Sequence, residues 1–355
     1  MNITFFYLDE LIDNVDNTGM FFRDCKHFIS YKELSKYNNE VGVVLIEKNL
    51  WENQEHLVFD LIKRYSNNTK LSFMLCDTSE GYPTKYIYYP FFEFLEKCNI
   101  DKKRRLLLYN NAIQQNSLFE CDIFYSVYFP SFLYEFANTN SIKPYNLASK
   151  YDFSCFNRKS KEHKYETVKE IIKRNLDCAT TFDFFNDIDF NHNSFLKLES
   201  IREGSYLMES DYFLGKINIC TESEFYSTYH DKSSADAQYQ WGDMIHLTEK
   251  VFRNISWGIP YVLVSSKGSL NEIRRLGFKT FDSIIDESYD MADDSVRMEL
   301  ALNAADELLK KYNTDEMNSI LKYNRDKIES YSHDSNLFNI HLFDVLKNHI
   351  NNLDI

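Results

Sequence analysis

The chain has 355 residues, of which 44% are apolar and 16% aromatic, with 54 acidic side chains against 40 basic ones and a formal charge of −14. That length suits two domains and that composition suits packed cores, which argues against global disorder. The acidic balance argues against a surface built along a phosphate backbone, and 9 glycines and 5 prolines are too few for flexible linkers or low-complexity repeats.

The first 145 residues alternate strand and helix signals. Residues 1–7 read as a short strand, and 41–46 (VGVVLI) as a strand buried on both faces. Residues 52–66 carry Leu57, Val58, Leu61 and Ile62 at helical spacing. Residues 71–76 predict a second buried strand, 91–98 a helix, 105–109 a strand and 123–128 another. Such alternation predicts a parallel sheet covered on both faces. The polar stretch 138–150 with Pro144 marks a domain boundary.

A second run of the same kind follows. Strands are expected at 151–156, 216–220 and 261–264, and helices at 162–175, 249–257 and 270–276. Val168, Ile171 and Ile172 share one face of the first of these helices. The tail predicts helices at 294–312, 315–331 and 336–350. Ser269-x-x-Glu272 reads as a capping box and Gly277 as the residue ending that helix. Six of the nine glycines lie between 204 and 277, which draws attention to this half.

The seven cysteines are odd in number and contain no C-x-x-C pair. That argues against a zinc site or disulfide framework and for a reducing, cytoplasmic compartment. The N-terminus has no basic segment followed by a long apolar run, and no stretch reaches about 18 apolar residues, so no membrane span is expected.

The informative segment is 245–264. Thr248 suits an N-cap, Glu249 the first helical turn, Gly258 the position after the helix, and Pro260 its stop. Lys250 is out of place, because a cation in the first turn opposes the helix dipole at a cost of about 0.3–1 kcal/mol. Arg253 lies three residues on along the same face. Both make sense if an anion such as a diphosphate sits at the helix N-terminus. They make equal sense as a lysine reaching solvent and an arginine on a surface carboxylate.

Thr248-Glu249-Lys250, then Gly258-Ile259-Pro260 and an apolar strand, resembles the T-E-K motif of the alpha-1,3-fucosyltransferase-like family. The stretch 218–290 also resembles glycosyltransferases of phages and large viruses. It carries N-I-C-T-E at 218–222, H-L-T-E-K at 246–250, G-F-K-T-F at 277–281 and D-E-S-Y-D at 286–290. The resemblance covers 151–290. It implies a GT-B fold, two Rossmann-like α/β domains facing a cleft, with a metal-independent and inverting transfer. It implies that Lys250 binds the donor diphosphate, Glu249 the ribose, Glu222 the sugar or ribose, and Arg158 the diphosphate. Thr248, Arg253 and His246 complete the expected donor site. His246 equally suits a hydrogen bond within its loop.

Asp187-Ile188-Asp189 matches a D-x-D metal motif, but such triplets arise by chance in so acidic a chain, and no metal is expected. No P-loop, dinucleotide or nucleophile-elbow motif occurs. Asp77 and Glu80 follow an apolar strand, where carboxylates suit a general base, although a turn closed by its own Asp is the plainer reading.

The expected organisation is an acceptor-side domain at 1–145, a donor domain at 146–335, and a helix at 336–355 crossing back to the first. The expected function is transfer of a sugar from a nucleoside diphosphate sugar, as co-substrate, to a hydroxyl of a glycan or other acceptor, with no bound cofactor. Two rivals stay open. One is glycosylation of a modified base in phage DNA, which a basic face around Lys102-Lys103-Arg104-Arg105 would favour. The other is a non-catalytic glycan- or nucleotide-binding protein.

Overall fold

The structure is a computed structural model that describes residues 4–7, 28–30, 34, 36, 41–77, 85–109, 112–113, 118–120, 123–128, 130, 133, 149–157, 161–180, 213–223, 225–226, 244–333 and 348. Described residues 4–133 belong to one compact unit, and 149–226 with 244–332 to a second. The expected boundary at 145/146 and the expected helix at 336–350, apart from residue 348, lie outside the described residues.

The first unit is built on β1 (Thr4–Tyr7), β2 (Phe28–Ser30), β3 (Gly42–Glu47), β4 (Leu71–Asp77), β5 (Arg105–Tyr109), β6 (Leu118–Glu120) and β7 (Tyr125–Tyr128). Their order across the sheet is β2-β1-β3-β4-β5-β7-β6. Every pairing is parallel except the antiparallel β6–β7 edge. All of β4 is buried, as its nearly unbroken apolar run requires of a strand covered on both faces.

The helices of this unit are α1 (Lys48–Asn53), α2 (Glu55–Tyr65) and α3 (Lys85–Lys97). Val58, Leu61 and Ile62 face the core from α2, as their spacing predicts. The expected helix 52–66 is interrupted at Gln54, whose backbone is not helical (φ −137°, ψ 43°). The third helix begins before Pro90, where the sequence reading began it just after. Proline usually opens a helix, but here it lies within one. Aromatic rings fill the space beneath: Trp51 meets Phe59 and Phe91 edge-on at 5.3 and 5.2 Å, and Phe92 stacks on Phe124 at 4.1 Å.

Two of the four residues in the basic cluster at 102–105 are turned inward, while Lys103 is exposed. Arg104 and Arg105 are buried, and their guanidinium groups donate to the carbonyls of Leu71 (2.6 Å), Asn68 (2.7 Å), Ile100 (2.9 Å) and Ile123 (3.2 Å). Four backbone carbonyls thus hold Arg104 and Arg105, which clamp strand ends together.

The second unit carries β8 (Tyr151–Cys155), β9 (Cys178–Thr180), β10 (Gly215–Thr221) and β11 (Tyr261–Val264), in the order β9-β8-β10-β11 and parallel throughout. Its helices are α4 (Glu162–Lys173), α5 (Glu249–Trp257), α6 (Ser269–Arg275), α7 (Asp294–Lys310) and α8 (Asp315–His333). Gly258 ends α5 with φ +67°, a conformation that disfavours any residue with a Cβ.

The capping box at Ser269 is not formed. Ser269 is the first helical residue and bonds back to the Ser266 carbonyl at 2.6 Å, while Glu272 turns to Arg275. The cap comes from afar: the Asp290 carboxylate accepts from the Leu270 and Asn271 N–H groups at 2.9 and 3.3 Å. A local spacing cannot reveal a cap delivered across twenty residues.

In both units the strand order reverses beside the first strand, between β1 and β3 and again between β8 and β10. Open α/β sheets bind ligands outside the carboxyl ends of their strands at such a reversal. Among the described residues, no helix is long and apolar enough to cross a membrane. The described cysteines, at 76, 98, 155, 178 and 220, are free thiols.

Candidate functional site

The reversal in the second unit is stitched by polar side chains. The Thr221 hydroxyl donates to Asn157 Oδ1, joining the ends of β10 and β8. Deeper in the sheet, Asn218 Nδ2 donates to Ser154 Oγ at 3.0 Å, and Asn254 Nδ2 of α5 donates to Asn218 Oδ1 at 3.1 Å. Polar groups are tolerated in this core because each finds a partner.

Beyond β10 the chain presents Glu222 and Ser223. Glu222 is 0% exposed. Its Oε1 accepts the Thr248 N–H at 3.0 Å and its Oε2 accepts the Thr248 hydroxyl at 2.6 Å. A buried carboxylate needs such bonds to offset its lost hydration. Glu222 therefore anchors the N-cap of α5 to the sheet.

Thr248 in turn accepts from Lys250, at its N–H (3.4 Å) and at its ammonium (2.8 Å). Lys250 Nζ also lies 3.4 Å from Ser223 Oγ, 3.5 Å from Glu222 Oε2 and 3.6 Å from Glu249 Oε1, with the side chain 20% exposed. The cation that seemed misplaced in sequence is thus folded over the carboxyl edge of the sheet, where the helix dipole and the strand reversal meet. No family model, curated protein or solved structure matches the chain.

Glu249 lies beside this cation. Burial pushes its carboxyl up, but Lys250, Arg253 and hydrogen bonds from its own backbone and Thr248 outweigh that, and the group titrates below the usual carboxylate range. Its Oε2 is buried with no hydrogen-bond partner. An acceptor in that state suits a ligand hydroxyl. Arg253 stands over the Trp257 ring of its own helix at 5.8 Å and reaches Glu249 electrostatically. His246 is buried just ahead of the N-cap. Arg158, Asp187, Asp189 and Glu80 lie outside the described residues.

Three residues that the sequence reading did not single out complete the site. Lys161, ahead of α4, donates to the Ser223 carbonyl at 2.6 Å. The His163 ring lies 3.0 Å from the Glu222 carbonyl; a carbonyl only accepts, so Nε2 carries the proton. Burial above all, with Lys164, Lys161 and Lys250 acting in the same direction and the carbonyl bond opposing them, depresses His163 to about 3. The third is Ser223, which both lysines touch. One signal was available: His163, Lys164 and Thr167 occupy the buried face of α4 beside Val168 and Ile171, and polar residues there mark a face turned toward other polar groups.

The loop carrying Ser223 is held from behind. His163 stacks on Phe225 with centroids 5.5 Å apart, and the Arg297 guanidinium covers the same ring at 4.5 Å. Arg297 is buried and donates to the carbonyls of Ser265 (3.0 Å), Ala292 (2.8 Å) and Phe225, and to Asp294 Oδ1 (2.5 Å).

In the first unit, Asp77 ends β4 and is 3% exposed. Its Oδ2 accepts the Tyr88 hydroxyl and pairs with Lys48 Nζ at 3.1 Å. Burial, and then Asp77, push the Tyr88 phenol well above its usual range, so it stays a donor. Among the described residues, no group of three or more His, Cys, Asp or Glu is placed to hold a metal ion.

Proposed function

We propose that the second unit binds a nucleoside diphosphate sugar and that the protein is a glycosyltransferase of GT-B type. The reading rests on the convergence of Lys250, Glu249 and the α5 N-terminus at the strand-order reversal of a strongly acidic chain. Lys250 and the first-turn N–H groups neutralise the diphosphate as it leaves, and Glu249 accepts a ribose hydroxyl. Arg253 adds charge from the same helix. An acceptor hydroxyl gives its proton to a carboxylate base as its oxygen attacks the anomeric carbon, the bond to the diphosphate oxygen breaks with the electron pair leaving on the diphosphate, and configuration inverts. Glu222 and Thr248 hold Lys250 in place.

A nucleic-acid acceptor is disfavoured, because Arg104 and Arg105 are spent on backbone carbonyls. The test is a screen for nucleotide released from UDP-, GDP-, TDP- and CMP-sugars. Release from a diphosphate donor, lost in Lys250→Ala, is expected. Binding without release from any donor would move the protein to the non-catalytic class.

A further inference from the structure

Helix α7 buries one stripe, which includes Arg297, Ala301, Ala304 and Leu308, and leaves apolar side chains bare beside it. Val296 and Leu300 lie one turn apart and are 44% and 39% exposed, and Met291, in the turn leading into the helix, is 52% exposed. Four large hydrophobic side chains are exposed among the described residues, and three of the four fall within 291–300. Single exposed apolar residues need no explanation, but a cluster at helical spacing marks a surface that something covers. Carboxylates frame it. Asp293 and Glu299 are exposed, and neither has an ion-pair partner among the described residues. Asp293, Val296, Leu300, Asn303 and Glu307 are all exposed and follow one another at steps of three and four residues, the spacing that keeps one face of a helix against a second helix. The stripe thus has an apolar centre and acidic ends. Glu307 pairs with Lys310 one turn on, but both side chains stay in solvent, where such a pair is weak.

We infer that this face of α7 docks an amphipathic helix of a protein partner, one whose short apolar stripe is flanked by lysine or arginine. Val296 and Leu300 receive the apolar stripe, and Asp293, Glu299 and Glu307 face the basic ends. A second copy of this chain fits badly. Two α7 helices laid antiparallel bring Asp293 of one copy to Glu307 of the other, and laid parallel they bring each acid to its twin, and like charges so placed repel. The net charge of −14 also draws a basic partner in from a distance and repels another copy. The docking face stands whether or not the second unit binds a nucleotide sugar.

The test is fluorescence anisotropy of the full chain with a labelled helical peptide that carries leucines at steps of three and four residues between lysines. Two controls accompany it: the same peptide with glutamate for lysine, and one with the leucines spread around the helix. The lysine-flanked amphipathic peptide should bind saturably and both controls at least about ten-fold more weakly. Val296→Ser combined with Leu300→Ser should weaken it about ten-fold or more, since two apolar side chains lose their burial, and should leave Tm unchanged because both are exposed in the free chain. Asp293→Asn combined with Glu299→Gln should weaken it a few-fold, on the order of two screened surface charges, and flatten its salt dependence. Binding that survives Val296→Ser with Leu300→Ser overturns the inference, as does equal affinity for the scrambled peptide, which marks only attraction to an acidic surface. No binding of the amphipathic peptide overturns it too. So does a wild type that sediments as a dimer and a serine variant that does not, which would make a second copy the occupant. If the double variant does not fold, wild type with methyl-labelled methionine decides: a Met291 methyl signal that does not move as the peptide is added overturns the docking face.

Discussion

The two sheets share a topology and differ at its most exposed chemical position. Each reverses strand order beside its first strand, and each places a buried carboxylate at a strand end nearby, Asp77 in one and Glu222 in the other. Asp77 is closed off by a tyrosine and a lysine from its own unit. Glu222 instead spends its bonds on a helix cap and leaves two lysines leaning over Ser223. Topology therefore nominates two places, and the two carboxylates are held differently: Asp77 by Tyr88 and Lys48, Glu222 by the Thr248 cap.

The sharpest break in that comparison is Glu222→Ala. It strips the Thr248 N–H and the Lys250 charge of their buried partner, and removing one member of a buried ionic group costs about 3–5 kcal/mol. Denaturant unfolding should show a loss of that size with anion binding abolished. A neutral outcome would mean that the cap does not depend on Glu222. Asp77→Asn is the control from the other sheet: it should destabilise without altering nucleotide affinity, and any change in that affinity would erase the distinction.

Lys250→Ala comes next. It should weaken nucleotide sugar and free nucleotide alike by roughly 1.5–3 kcal/mol, read by calorimetry, because the lost contact is to phosphate. Retained affinity for both would remove Lys250 from the site.

Acid should act on the second unit through His163. Its pKa is about 3 when folded against 6.5 as a free side chain, so the unfolded state takes up the proton first. The contribution to stability is whole above pH 6.5 and is lost as pH falls toward 3, amounting to about 2 kcal/mol by pH 5. Lys161, Lys164, Lys250 and the Glu222 carbonyl all face this ring. His163→Phe should flatten the Tm profile between pH 6 and 4; an unchanged slope would assign the acid response to other groups. The smallest effect expected is that of EDTA, which should leave donor turnover intact. A strict requirement for Mn²⁺ or Mg²⁺ would return attention to Asp187 and Asp189.

Periodicity was a good guide where burial is uniform. The runs at 42–47, 71–77 and 261–264 are strands because parallel sheets bury both faces, and apolar continuity records that directly. Thr248 and Gly258 bounded α5 because caps are local chemistry. The sequence was silent where partners are remote. It showed neither that Asp290 would cap α6, nor that Glu222 would turn inward, nor that Arg104 would bind carbonyls. The meeting of Lys161 and Lys250 at Ser223 joins residues whose proximity exists only once β8 and β10 lie side by side.

Arg297 has a consequence for motion. One guanidinium holds carbonyls from the turn after β11, the start of α7 and the loop beside Ser223. Moving Phe225 outward would take one acceptor from a buried cation, a cost that ordinary surface loops do not carry. The loop's amides should exchange hydrogen with solvent only as fast as α7 itself melts, which places a surface-edge loop in the same cooperative unfolding block as the interior. Lysine at 297 would keep the charge yet lose the planar fork that reaches several acceptors at once, and the block would divide.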